Sequence, residues 1–540
     1  NIVKQNFYIG IDSICPSCHR KLGEEYLQPG KIAEWLLSHY KFATTEDEDQ
    51  SIFLYSEKGI WEKEIVDPTI KKELTIIYGG KLTGEKFNNV KLNIQAKTYV
   101  SRSEFSSAIK QVDNEILINV RNGVLHYPSM KLTEHSPDYY FFSRLEIDFK
   151  PDAPTPEKFL DFLGTISLPN EENFVNLLEA FAYPLLPGYP IQRAIALIGA
   201  GQNGKSTFLK AMETFYGEKY ISHLTMQQLS SAIEGQPFAL TRIIGKIANI
   251  ADDLPSKPVR DVGYFKQLTG GSSVEAERKF GSRLSFVNTA KFYFAANQMP
   301  AVSEDTIAFY RRFLFIEFSN IIEKPRDQKE IMNEICSEQE KSGLLNLLLL
   351  FVIPKLLKNN DFSFAKNVDE IAEQYQKHSN TAQLFCEKRL EYDPESSIKK
   401  EDLWQIYEQY CQKEGLVEVS QKMFWSTFAQ TFPQVQEQRN QENGIRKRTL
   451  VGIKFMEDDE NDKIINLESE NSNNILEKYF NISYSDQYDQ YVHYFCLLNK
   501  DTGILKSIKK ERENLGHDGY TGQQQSSTSN LNIESSTETL

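Results

Sequence analysis

The stretch Gly199-Ala200-Gly201-Gln202-Asn203-Gly204-Lys205-Ser206-Thr207 has the residue types and spacing of a phosphate-binding loop. Glycines at 199, 201 and 204 let the backbone turn tightly and aim successive N–H groups at an anion. Lys205 is placed to reach the β- and γ-phosphates of a nucleotide and the Ser206 hydroxyl to ligate Mg²⁺, with Asn203 and Thr207 in the same set, so ATP and Mg²⁺ are the expected ligands. A glycine-rich turn with no ligand is the plain alternative. For the chemistry to work, a strand must deliver the loop and a helix must point its positive end at the phosphates. The apolar run Ala194 to Ile198 and a helical face of Phe208, Leu209, Met212 and Phe215 supply both patterns.

Three further groups fit the same reaction. Asp252-Asp253 follows the apolar run Ile247 to Ala251 and is suited to hold Mg²⁺ through Asp252 and to orient or deprotonate an attacking water through Asp253. Asn297 ends the strand-like run Lys291 to Ala296, where a polar side chain can hold the lytic water. Arg311 and Arg312 precede the apolar strand Phe313 to Ile316, and a guanidinium suits the charge that develops on a transferring phosphoryl group, including one in a neighbouring subunit. An internal salt bridge to Asp305 or Glu317 accounts for the arginines equally well. Between these groups, Leu268 to Val287 reads as a β-hairpin with Arg278, Lys279 and Phe280 at its tip. Cations beside an aromatic ring suit a phosphate backbone with unstacked bases, although a charged tip also serves solubility alone.

Composition narrows the classes. At 540 residues the chain exceeds one hydrophobic core, and length suggests roughly three or four domains. A formal charge of −14 argues against a protein that coats nucleic acid with its whole surface, and leaves room for a local basic channel. The six cysteines are scattered except for Cys15-Pro16-Ser17-Cys18, which suits a reducing, cytoplasmic setting. That pair could grip one side of Zn²⁺, but further ligands are not evident nearby. The apolar run Leu344 to Ile353 is too short for a bilayer, so a core helix is expected and no membrane contact. Glu146 and Asp148 alternate as on a strand, either as a metal-binding pair or as exposed carboxylates. The opening Asn-Ile-Val-Lys has no initiator Met and no secretory signal, which suggests a fragment.

Taken together, these residues resemble the superfamily-three helicases of viruses and plasmids, specifically the poxvirus-type primase-helicase family. The resemblance rests on Asn203-Gly204-Lys205-Ser206, on Leu268-Thr269-Gly270-Gly271 leading to Lys279-Phe280, on Asn297, on Arg311-Arg312, and upstream on Asn119 to Leu125 and Arg144 to Pro156. It runs from about Ile52 to Phe455. It implies a hexameric ring that binds ATP between subunits, takes the finger from the arginine pair and pulls single-stranded DNA with the hairpin lysine. Many relatives carry a glutamate where Asp252-Asp253 stands, so the base is open between the two. The family also implies an upstream primase-polymerase in the same chain, as in plasmid replication proteins, and forked DNA as substrate. Two other readings share the loop: a packaging motor without strand separation, and a DNA-binding initiator whose nucleotide only promotes oligomerisation.

The expected fold is α/β and multidomain: a central P-loop, AAA+-like ATPase with a parallel sheet, an α+β N-terminal region and a C-terminal winged helix. We place a remnant or linker at 1–30, the α+β region at 31–190, the ATPase core at 191–325 and a helical subdomain at 326–395. The winged helix follows at 396–456, with helices at Ile398 to Glu414 and after Ser420 and a strand through Val451, Ile453 and Phe455. Its Arg446, Lys447 and Arg448 are candidates to touch DNA phosphates; a protein dock is the alternative. An acidic linker with a small element occupies 457–515, and the polar tail 516–540 is expected to be disordered.

Overall fold

A computed structural model of the chain describes residues 28–456 and 472–480, apart from 48, 200, 231–237, 256, 260, 278–282, 303–305, 321, 323–325, 414–415, 417 and 443–444. It is a mixed α/β structure organised on one parallel sheet. In spatial order the strands are Ile221–Ser222, Ala248–Ala251, Lys291–Ala296, Ala194–Ile198 and Phe313–Glu317, each parallel to its neighbour. The inner strands are buried at every position. That is what a parallel sheet covered on both faces requires, because neither face offers a polar side chain water. Asn249 and Lys291 are polar exceptions: both are enclosed, Asn249 Oδ1 accepts from Ser222 Oγ and Leu224 N at 2.8 Å, and the Lys291 ammonium donates to the carbonyls of Leu186 (2.7 Å), Thr289 (3.1 Å) and Gly188. The start of the Lys291 strand is thereby tied to the chain entering the sheet.

Helix Lys205–Tyr216 follows Ala194–Ile198 and buries Phe208, Leu209, Met212 and Phe215, the face read from spacing. At roughly 1.5–3 kcal/mol for each fully buried side chain of this size, that stripe fixes the helix against the sheet. The antiparallel pair Ser273–Glu277 and Arg283–Val287 stands beside the sheet with Val274 and Ala276 turned inward. The expected core helix runs Glu338–Leu347 and continues through a π-type turn, Leu348–Val352, into Ile353–Asn359. Pro354 is tolerated because it falls in the first turn after that widening, where its missing N–H costs no ladder bond.

Upstream, Phe42–Thr45, Ile52–Tyr55, Trp61–Glu62 and Tyr99–Val100 form one small sheet, and Ile109–Val112, Glu115–Val120, Gly123–Tyr127 and Lys131–Thr133 form an antiparallel one. The turns after Tyr55 and at Asn122-Gly123 join paired strands. Glu146 and Asp148 do not alternate on a strand: Asp148 takes both nitrogens of the Arg121 fork at 2.8 Å and Glu146 lies 3.3 Å from Arg144. The metal-pair expectation is therefore replaced by two ion pairs: Arg144–Glu146 within the segment, and Arg121–Asp148, which holds it to its neighbour.

Toward the C-terminus, Thr381–Arg389, Lys400–Lys413 and Gln421–Thr431 pack around Phe385, Tyr407 and Phe424. Ser420 caps the last of these helices, accepting from the Met423 amide. A three-stranded sheet, Leu390–Lys399, Ile445–Phe455 and Gln436–Glu442, completes the unit. The strand Leu390–Lys399 was not expected. Its burial is mostly polar and exposed, so no apolar alternation marks it, and it forms by pairing with Ile445–Phe455.

Candidate functional site

The loop after Ala194–Ile198 leaves the C-terminal edge of the sheet, where parallel α/β sheets bind ligands. Gly199 N donates to Ala296 O at 3.3 Å, so the loop begins against the adjacent strand. A Cβ on Gly199 would meet Asn203 Nδ2 at 2.3 Å and Phe318 O at 2.5 Å, which reserves the position for glycine. Gly204 has φ +87, and a Cβ there would lie 2.3 Å from Ile166 Cγ2. Asn203 is buried and its Nδ2 donates to Phe318 O at 2.9 Å, pinning the loop to the outer strand's end.

Lys205 is 7 % exposed and donates to Gly199 O at 2.7 Å and Asn203 Oδ1 at 2.9 Å. Both acceptors are neutral, and among the described residues it meets no carboxylate. Burial pulls its ammonium down to about 8 from 10.5. A half-satisfied, partly desolvated cation at the mouth of a helix suits an anion, so these residues fit a nucleotide phosphate. Ser206 is exposed in the first turn, and Thr207 Oγ1 lies 3.4 Å from Gln328 Nε2.

On the same edge, Asn297 is exposed directly after Ala296, which pairs with Ile198. Asp252 and Asp253 are exposed just past Ala248–Ala251, one strand further on, and Leu254 N donates to Ala295 O at 3.2 Å to fix their turn. The sheet thus brings the loop, the carboxylates and the asparagine to one edge. Arg311 and Arg312 are at the opposite edge, since Phe313 pairs with Ala194 and Glu317 with Ile198. About 17 Å of extended strand separates the two edges. Arg311 is exposed; Arg312 is buried and donates to Thr269 Oγ1 at 2.9 Å. Glu317 is no partner for either. It accepts from His378 Nε2 at 3.0 Å, with Lys377 at 3.8 Å, and its carboxyl is held down to about 2 by that bond and these neighbours. Asp305 lies outside the described residues.

So do Cys15, Cys18, Arg278, Lys279 and Phe280, as well as the side chains of Arg446 and Lys447. Arg448 is exposed and sits 3.2 Å from Glu437 on the paired strand. Among the described residues no group of three or more His, Cys, Asp and Glu is disposed to hold a metal, and no helix is long and apolar enough to cross a membrane. Sequence reading missed Ile166, Phe318 and His378, which surround the loop and the strand end. They come from three distant segments, and no local pattern connects them.

Three family models match the chain. "D5 N terminal like" covers residues 33–167, a "family of unknown function (DUF5906)" covers 197–312, and "Poxvirus D5 protein-like" covers 377–461. A protein of Invertebrate iridescent virus 3 named as a helicase, 121R, is 25 % identical over 255 residues, 45 % of this chain and 26 % of its own. One of African swine fever virus named as a primase, C962R, is 22 % identical over 325 residues, 55 % of this chain and 34 % of its own. The chain spans about a quarter to a third of the length of these relatives. The apo NrS-1 C-terminal region aligns with 79 % of this chain and all of its own at 13 % identity and a TM-score of 0.42. The chain is a mixed α/β protein, and the D5-type models at 33–167 and 377–461, with viral relatives named as a helicase and a primase, support its likeness to the poxvirus-type primase-helicase family.

Proposed function

We propose that the chain is the motor part of a primase-helicase, an ATP-dependent DNA helicase that encircles single-stranded DNA as a ring during plasmid or viral replication. In this reading the central sheet is a P-loop, AAA+-like ATPase core, and the C-terminal helices with their three-stranded sheet are a winged helix. The observation that carries it is the division of groups between two edges of one sheet. Gly199–Thr207, Asp252, Asp253 and Asn297 share one edge, and Arg311 is exposed at the other. An arginine about 17 Å away along its own strand cannot serve its own loop, which supports its use by the loop of a neighbouring subunit.

ATP supplies a phosphoanhydride whose hydrolysis releases free energy. Lys205 would exchange Gly199 O and Asn203 Oδ1 for phosphate oxygens, and Ser206 and Asp252 would hold Mg²⁺. Asp253 and Asn297 would orient the attacking water, Asp253 taking its proton. Arg311 from the adjacent subunit would stabilise the charge that develops on the phosphoryl oxygens. Arg278, Lys279 and Phe280 at the hairpin tip would contact the DNA strand, and Arg446, Lys447 and Arg448 the duplex phosphates at the fork. The winged helix and Zn²⁺ at Cys15 and Cys18 remain parts of this proposal, as does the hexamer.

Lys205→Ala tests the reading on forked DNA with 3′ or 5′ tails. ATP hydrolysis and strand separation are both expected to disappear. Unchanged unwinding overturns the assignment, and wild-type ATP hydrolysis without strand separation favours a packaging motor or an oligomerisation ATPase instead.

A further inference from the structure

Arg312 is 7 % exposed, and among the described residues its guanidinium has only neutral acceptors: Thr269 Oγ1 at 2.9 Å from Nε, and Ala308 O from one Nη. Thr269 is fully enclosed at the end of helix Gly263–Thr269, and its hydroxyl proton is committed to Phe265 O at 2.7 Å. Its oxygen is therefore free to serve as an acceptor for Arg312 and not as a second donor. Four residues later the chain enters Ser273–Glu277, the outgoing leg of the hairpin. The guanidinium also packs on that exit, since a Cβ on Gly270 would lie 3.4 Å from Arg312 Nη2.

The returning leg ends at the same place. Arg283–Val287 is followed by Asn288, 1 % exposed, whose Nδ2 donates to Leu268 O at 3.1 Å and to Ala290 O at 2.9 Å. Both legs are thus tied at Leu268 and Thr269, and Arg312 holds that knot from the residue next to the exposed Arg311. A purely structural tie would need no charge, because apolar packing avoids the cost of burying a guanidinium. Here the buried charge has no counter-ion among the described residues and has a second cation beside it in sequence.

We propose that Arg312 is a positioning residue that links the exposed Arg311 to the root of the hairpin, through its bond to Thr269. The inference rests on the helicase reading above. When Arg311 meets the anion of a neighbour's nucleotide, the backbone of Arg312 moves with it, and the Arg312–Thr269 bond carries that displacement to both hairpin legs. The coupling runs in both directions, so a strand held by the hairpin must bias Arg311 toward or away from the neighbour's site.

The test uses the full chain with Thr269→Val, Thr269→Ser and Arg312→Lys. Hydrolysis of ATP is measured with and without single-stranded DNA, together with base pairs separated per ATP and melting temperature. Thr269→Ser keeps the acceptor and is expected to behave as wild type. Thr269→Val is expected to hold DNA-independent hydrolysis within about twofold and to lose stimulation by DNA about fivefold or more, the range of ordinary coupling energies. Arg312→Lys keeps the charge, loses the Nε donor and reads the same bond from the other side, so it should lose stimulation even if the valine variant does not fold. Full stimulation in either folded variant overturns the proposal. So does loss of DNA-independent hydrolysis in Arg312→Lys alone, which would make Arg312 the finger itself. A wild-type chain without DNA-stimulated hydrolysis refutes the helicase reading instead, which separates the two failures.

Discussion

Lys205 is the residue at which the physical chemistry is most exposed to measurement. Its ammonium sits at about 8 because burial disfavours charge, while phosphates beside it would favour the charged form. Nucleotide binding should then take up a proton above that value. Affinity is expected to be flat below pH 8 and to weaken above it, approaching about tenfold per pH unit until the bound form also loses its proton. Calorimetry in buffers of different ionisation enthalpy checks the sign, and proton release on binding would contradict it. For stability the sign also follows. The unfolded lysine keeps its ordinary 10.5 and binds more protons between about 8 and 10.5, so this residue's contribution to stability rises with pH across that window. Lys205, Ser206 and the glycines were legible from spacing alone. The two neutral acceptors of Lys205 were not, because Asn203 Oδ1 is oriented by Phe318 O, 115 residues away.

At the scale of the element, the loop and its helix depend on a close fit to the segment before the sheet. Ile166 belongs to helix Glu157–Ser167 and occupies the space where Gly204 has no side chain. Gly204→Ala combines a positive φ with that contact, and destabilisation of about 1–3 kcal/mol is expected, read by denaturant titration. A loss below about 0.5 kcal/mol would place the substitution among ordinary surface changes and refute the fit. The strand–loop–helix order, the hairpin legs and the helix capped by Ser420 were all legible, since each has a local signal of period, turn or cap. Leu390–Lys399 was illegible because its pairing with Ile445–Phe455 comes from tertiary contact, with little help from its own side chains. Glu146 and Asp148 were misread for the related reason that alternation does not reveal the arginines that pair with them, Arg144 two residues back and Arg121 from another segment.

For the whole molecule, the proposed function uses the separation of Arg311 from the loop to make assembly part of the chemistry. A chain with Lys205→Ala and one with Arg311→Ala should each be inactive alone. Mixed before assembly, they form some interfaces that have an intact loop on one side and an intact arginine on the other. ATP hydrolysis is expected to return in the mixture, to a fraction of the wild-type rate set by how often such interfaces form. No recovery in subunits shown to co-assemble would mean that the arginine works within its own chain or not at all.

The sequence by itself determined what is local: a glycine-rich loop between strand and helix, paired carboxylates and an asparagine at strand ends, an arginine pair before a strand, and a two-legged hairpin. Each is encoded within a few residues by backbone freedom, charge or periodicity. The tertiary structure alone decided how they are shared between the edges of the sheet. Strand order and parallel register follow from how the faces are buried, and these set Asp252, Asp253 and Asn297 beside the loop and Arg311 at the far edge. Burial of one arginine and exposure of the other is likewise a matter of packing, because adjacent residues before a strand point to opposite sides and only the surroundings distinguish them.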